Sequence, residues 1–79
     1  MPPKVRSGDQ VKVLVQIQNR KAIYTDGSGE TTVNLNPGKV LTAATDEVGG
    51  NIPQAETEDP KGTHVQVLVS LWEGEWEKV

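Results

Sequence analysis

Val11-Lys12-Val13-Leu14-Val15-Gln16-Ile17-Gln18 and Val65-Gln66-Val67-Leu68-Val69-Ser70-Leu71-Trp72 decide how this chain folds. Both stretches alternate with a period of two. That spacing puts Val11, Val13, Val15 and Ile17 on one face of a strand, and Val65, Val67, Val69 and Leu71 on one face of another. On a helix the same residues would be spread around the circumference, so the reading is β. Each stretch also carries a Leu, Leu14 or Leu68, on its otherwise polar side. Matched patterns of this kind are expected of core partners in one sheet or sandwich.

Between the two stretches the chain is heavily punctuated. Ala22–Thr25 and Thr31–Leu35 flank Asp26-Gly27-Ser28-Gly29, whose residues tolerate the positive φ that tight hairpins need. Asn36-Pro37-Gly38-Lys39 has the composition of a type II turn: Pro presets φ at the second position and Gly takes positive φ at the third. It leads into a further candidate strand, Val40–Thr45. Asp46–Val48 is expected to form a helical turn that Gly49-Gly50 ends. Gln54–Gly62 is polar and acidic without visible periodicity, and reads as an exposed loop. Pro2-Pro3 excludes a helix at the N-terminus. The expected architecture is all-β: a small antiparallel barrel or sandwich of about five strands over residues 10–79. Residues 1–9 are expected to form an extended N-terminal arm, either frayed or lying on something else.

The core material is thin. The 79 residues include no Phe, one Tyr, two Trp and no cysteine, and 34% are hydrophobic. A chain this short removes only about 60–70% of its surface from water. Small domains usually supplement such a core with disulfides, a metal or a partner subunit. Cysteine is absent, and one His without Cys does not make a structural zinc site. A partner chain is the remaining supplement, so a homo-oligomer or a larger protein assembly is expected.

The net charge is −3 and the pI about 5.0. Nucleic-acid affinity rests on Lys and Arg neutralising phosphates. Lys4/Arg6 and Arg20/Lys21 are too few for that, so no nucleic-acid partner is expected. No apolar run approaches the roughly 20 residues that span a bilayer, and none at the start resembles a signal peptide. The expectation is a soluble protein without a membrane partner, cytoplasmic at synthesis or part of a particle assembled there.

No residue set advertises chemistry. Asp26-Gly27-Ser28-Gly29-Glu30 spaces oxygen ligands as a calcium loop does, but Thr31 and Pro37 occupy the positions where an EF-hand needs Gly and an acidic residue. A hairpin turn accounts for the loop. His64 has no second imidazole or thiol nearby in sequence, and catalysis by it would need an orienting carboxylate and a nucleophile. The glycine clusters match no phosphate-binding pattern, and no Ser sits in a nucleophile elbow. No catalytic residue, cofactor or metal is therefore assigned. Asp46, Glu47, Glu56, Glu58 and Asp59 read as solvated loop residues, or as a surface that steers a basic partner.

The most distinctive segment is Leu71-Trp72-Glu73-Gly74-Glu75-Trp76-Glu77. If the strand continues, Trp72 and Trp76 share the side opposite the valines with Leu68. They then cover a second small core, bind a neighbouring chain, or stack on a flat ligand such as a sugar. The functional expectation is a non-enzymatic structural or assembly module whose interface is Leu14, Leu68, Trp72 and Trp76. Virion accessory or decoration proteins offer an analogy of class only. Alternatives are a small acidic inhibitor or adaptor docking on a basic surface and, more weakly, a carbohydrate-binding module.

Overall fold

The computed structural model describes residues 2–62 and 65–79, so His64 and its neighbour Thr63 lie outside the described residues. The strands are β1 Gln10–Val13, β2 Ile17–Tyr24, β3 Glu30–Leu35, β4 Val40–Ala43, β5 Ile52–Glu58, β6 Gln66–Leu71 and β7 Trp76–Lys78. They form one sheet in the order β3-β2-β6-β5-β4-β1-β7, and every pairing is antiparallel. The all-β class holds. The barrel or sandwich of about five strands does not: among the described residues, seven strands make a single open sheet with β3 and β7 at its edges.

A long bent ribbon organises this sheet. β1 and β2 form one leg, β3 and β4 the other, with the Asp26–Gly29 turn at the tip. Ile17 lies opposite Leu35, and the same register continues through Lys12 opposite Val40 to Gln10 opposite Thr42. Val13 carries the ladder across the gap, donating its N–H to Lys39 O at 2.8 Å and accepting from Gly38 N at 2.7 Å. The Asn36–Lys39 turn forms as its composition predicts: Lys39 N–H reaches Asn36 O at 3.1 Å, and Gly38 has φ +94°. Opposite this turn the other leg bends at Val15, which is therefore 43% exposed and not part of the valine face. Beyond the bend, β2 takes β6 as its second neighbour, while β4 takes β5. The β5/β6 hairpin thereby connects the two halves of the ribbon and curls the sheet over one core.

A β-bulge sets which side chains enter that core. The β2/β3 register shifts between Ile17 and Arg20, and Asn19 adopts φ +53° there. Asn tolerates this left-handed conformation better than most residues, and its N–H is held by Asn34 Oδ1 at 2.8 Å. The extra residue reverses the in–out phase of β2. Ile17 and Ala22 both point inward, while Lys21 and Ile23 face out.

The inward face joins Val11, Val13, Ile17, Ala22, Val33, Leu35, Leu41, Ala43, Ile52, Ala55, Val67, Val69 and Leu71 in one buried cluster. Three expectations need correction. The supposed loop at Gln54–Gly62 is largely β5, and its alternation escapes notice because the inward residues are the small Ala55 and Thr57. Asp46–Val48 is not helical: Val48 and Asn51 bridge across Gly49-Gly50, with φ +59° and +88°. The N-terminal arm lies on its own domain. Val5 is fully buried in the common cluster, and Glu47 N–H donates to Val5 O at 2.8 Å.

Candidate functional site: an apolar groove on the outer face

The outer side of β2, β6 and β5 carries exposed apolar side chains beside a concavity. The bulge turns Ile23 outward, where it lies opposite Leu68 of β6. Leu68 in turn lies opposite Glu56 of β5. Where β6 ends, Trp72 stands beside them. Ile23 is 48% and Trp72 49% exposed, and Leu68 is half-buried. Together with Pro53 and Arg20 these residues line a groove of about 330 Å³. Pro53 is accommodated because it sits in a second register shift, between Ile52 and Ala55, where the ladder needs no donor from it.

Trp72 is held firmly at the end of this groove. The chain reverses there, with Glu75 N–H reaching Trp72 O at 3.0 Å and Gly74 at φ +88°. Glu75 Oε1 accepts the Trp72 N–H at 2.8 Å, and the Arg20 guanidinium grips the same carboxylate with both Nη atoms, Nη2 reaching Oε2 at 2.8 Å. Arg20 also donates to Ser70 O at 3.2 Å and places its charge 5.9 Å from the centre of the Trp72 ring. This is a two-point charge-assisted pair with a cation–π contact on top. The Arg20 hydrogen bond holds the Glu75 carboxyl below its ordinary pKa. Partial burial opposes that shift, and the Trp72 N–H adds to it. The Arg20 guanidinium, bound by Glu75 and Ser70 O, loses little side-chain freedom on binding, as an interface anchor requires.

The four residues expected to share one face are separated. Leu68 and Trp72 line the groove. Leu14 lies at the bend, 41% exposed, with its N–H on Glu75 O at 2.8 Å. Trp76 instead packs against the core, and its indole N–H donates to Gly50 O at 3.0 Å. The cause is the Trp72–Glu75 turn, which breaks the two-residue phase that would have aligned the tryptophans. Ile23 and Arg20 are additions that periodicity did not reveal, because the bulge after Ile17 inverts the phase of β2. The sequence signal was Asn19 inside a strand.

Several other polar residues serve the fold. Asp26 Oδ1 accepts the Ser28 N–H at 2.9 Å, and these bonds to Ser28 lower its pKa. Glu47 Oε1 accepts the Lys4 N–H at 2.9 Å while Oε2 takes that of Gly50. Asp46 Oδ1 binds the Ser7 N–H at 2.9 Å. Two of the five acidic residues thus hold the arm. Glu58 faces Lys39 at 3.4 Å, and Asp59 Oδ1 caps the Lys61 N–H at 3.0 Å. Among the described residues no three His, Cys, Asp or Glu side chains gather as metal ligands would, and no helix is long and apolar enough to cross a membrane.

No protein-family model, curated protein or solved structure matches this chain.

Proposed function

We propose that this protein is a non-enzymatic structural module that joins other protein chains, its own copies or a larger scaffold, through the groove of Ile23, Leu68 and Trp72. The observation that carries this reading is the anchored, half-exposed Trp72. Covering one Trp of about 200 Å² at roughly 25 cal/mol per Å² contributes several kcal/mol before the costs of association. Arg20 beneath the ring supplies the other side chain most enriched in binding hot spots. Leu14, exposed at the bend and bound through its N–H to Glu75 O, lies outside this groove. Trp76 belongs to the fold and is withdrawn from the interface. Of the residues behind the acidic-docking alternative, Asp46 and Glu47 also hold the arm.

The test is sedimentation velocity and co-purification with any particle the protein belongs to, comparing wild type with Trp72→Ala and Leu68→Ser. Both variants should bind or associate more weakly while their circular dichroism stays native. Unchanged association would refute the assignment. Fluorescence of Trp72 that responds to glycans and not to protein association would move the reading to carbohydrate binding.

A further inference from the structure

The two edges of the sheet are unlike each other. β7 is three residues long, and its exposed charges are paired: Glu77 with Lys12 at 3.0 Å and Lys78 with Asp9 at 3.4 Å. A short charged edge is a poor template for another strand. β3 has six residues, Glu30-Thr31-Thr32-Val33-Asn34-Leu35, with neither Pro nor Lys. Its single charge, Glu30, is matched by Lys21 of β2 at 3.0 Å.

The hydrogen-bond phase says which backbone groups this edge offers. Tyr24 N–H donates to Gly29 O at 3.0 Å, and Ala22 lies opposite Thr31. Antiparallel alternation then commits the N–H and C=O of Thr31 and Val33 to β2, and turns those of Glu30, Thr32 and Asn34 away from it. No strand among the described residues pairs with that side. The side chains of Glu30, Thr32 and Asn34 are exposed as well.

We infer that β3 pairs with β3 of a second copy, antiparallel about a two-fold axis at Thr32, joining two sheets into one. In that register Thr32 faces Thr32 of the second copy, and Glu30 faces the neutral Asn34 amide, twice by symmetry. No like charges meet, β-branched residues face each other, and all three outward residues find backbone partners. An axis at Glu30 would instead oppose two carboxylates. The pairing also adds main-chain hydrogen bonds to a domain whose own core is small. It is independent of the Trp72 groove, which lies on the face of the sheet and not on its edge.

The absence of native cysteine makes the test direct. Thr32→Cys should form a disulfide-linked dimer under mild oxidation, because Cα atoms facing each other in such a pair lie about 5.5 Å apart, within disulfide reach. Gln16→Cys, at the exposed bend, should cross-link far more slowly. Thr32→Pro removes an outward N–H that β2 does not use. It should leave a native β spectrum and weaken the dimer at least about a hundredfold in sedimentation equilibrium. Thr32→Lys serves the same end if the proline variant fails to fold. A wild-type monomer throughout the high-micromolar range, or equal cross-linking at positions 32 and 16, would overturn the inference. Loss of association in Trp72→Ala with Thr32→Pro unaffected would overturn it too, while leaving the groove assignment standing.

Discussion

Replacing Val5 by alanine removes two carbons from a side chain with no solvent exposure, in a segment that has no regular secondary structure. At about 0.8 kcal/mol per buried methylene the transfer loss is about 1.6 kcal/mol, and the cavity left behind raises it to about 2–3 kcal/mol. The site has little means of collapsing. Val5 O accepts the Glu47 N–H at 2.8 Å, and Gly8 N–H donates to Ala43 O at 2.7 Å, so the backbone is fixed on both sides of the void. In a domain this small, each kcal/mol moves Tm by about 4–8 °C. Val5→Ala should therefore melt about 10–20 °C below wild type in a reversible circular-dichroism scan. Val15→Ala, at the 43% exposed bend position, should stay within about 0.5 kcal/mol of wild type and controls for the chemistry of the change. Should Val5→Ala melt with wild type, the arm would not be part of the core. The correction to a dangling or outward-reaching N-terminus would then fail.

Two further outcomes follow from the same packing. Val67→Asp puts an unpaired carboxylate into a fully buried site, costing several kcal/mol against a total of roughly 5–10, and should abolish the native β spectrum; an unchanged spectrum and melting curve would refute the inward assignment of the β6 valines. Glu75, Glu47 and Asp9 all have folded-state pKa values below their ordinary 4.5, 4.5 and 3.8, because Arg20, the Lys4 N–H and the Arg6 N–H respectively bind the charged form. The unfolded chain takes up protons first, so this stabilisation is complete above the ordinary carboxylate range and is lost as pH falls through the folded-state values. Urea midpoints should be level from neutral pH to about 5 and then decline toward pH 3. In Glu75→Gln that decline should be shallower, whereas a midpoint that rises on acidification would contradict the assigned hydrogen bonds.

The alternating valines were enough to determine the all-β class and the inward face of β6, because period two has no other stable use in a chain this apolar at alternate positions. Asn36-Pro37-Gly38-Lys39 was equally legible, since turn chemistry is local: the residues that permit the backbone angles are the residues that form them. Non-local geometry decided the rest. Whether Val15 continues the face of Val13 depends on a bend imposed by the Asn36–Lys39 turn on the opposite leg. Whether Ile23 faces in or out depends on one extra residue at Asn19, and a one-residue slip exchanges the faces of everything after it. Ala55 and Thr57 became core residues because β6 and β4 lie on either side of them, not because their own hydrophobicity demanded it. Trp72 and Trp76, two turns of alternation apart on paper, were sent to opposite fates by the reversal at Gly74. Tertiary structure alone exposed the outer edge of β3, because a free edge is defined by the strand that does not lie beside it.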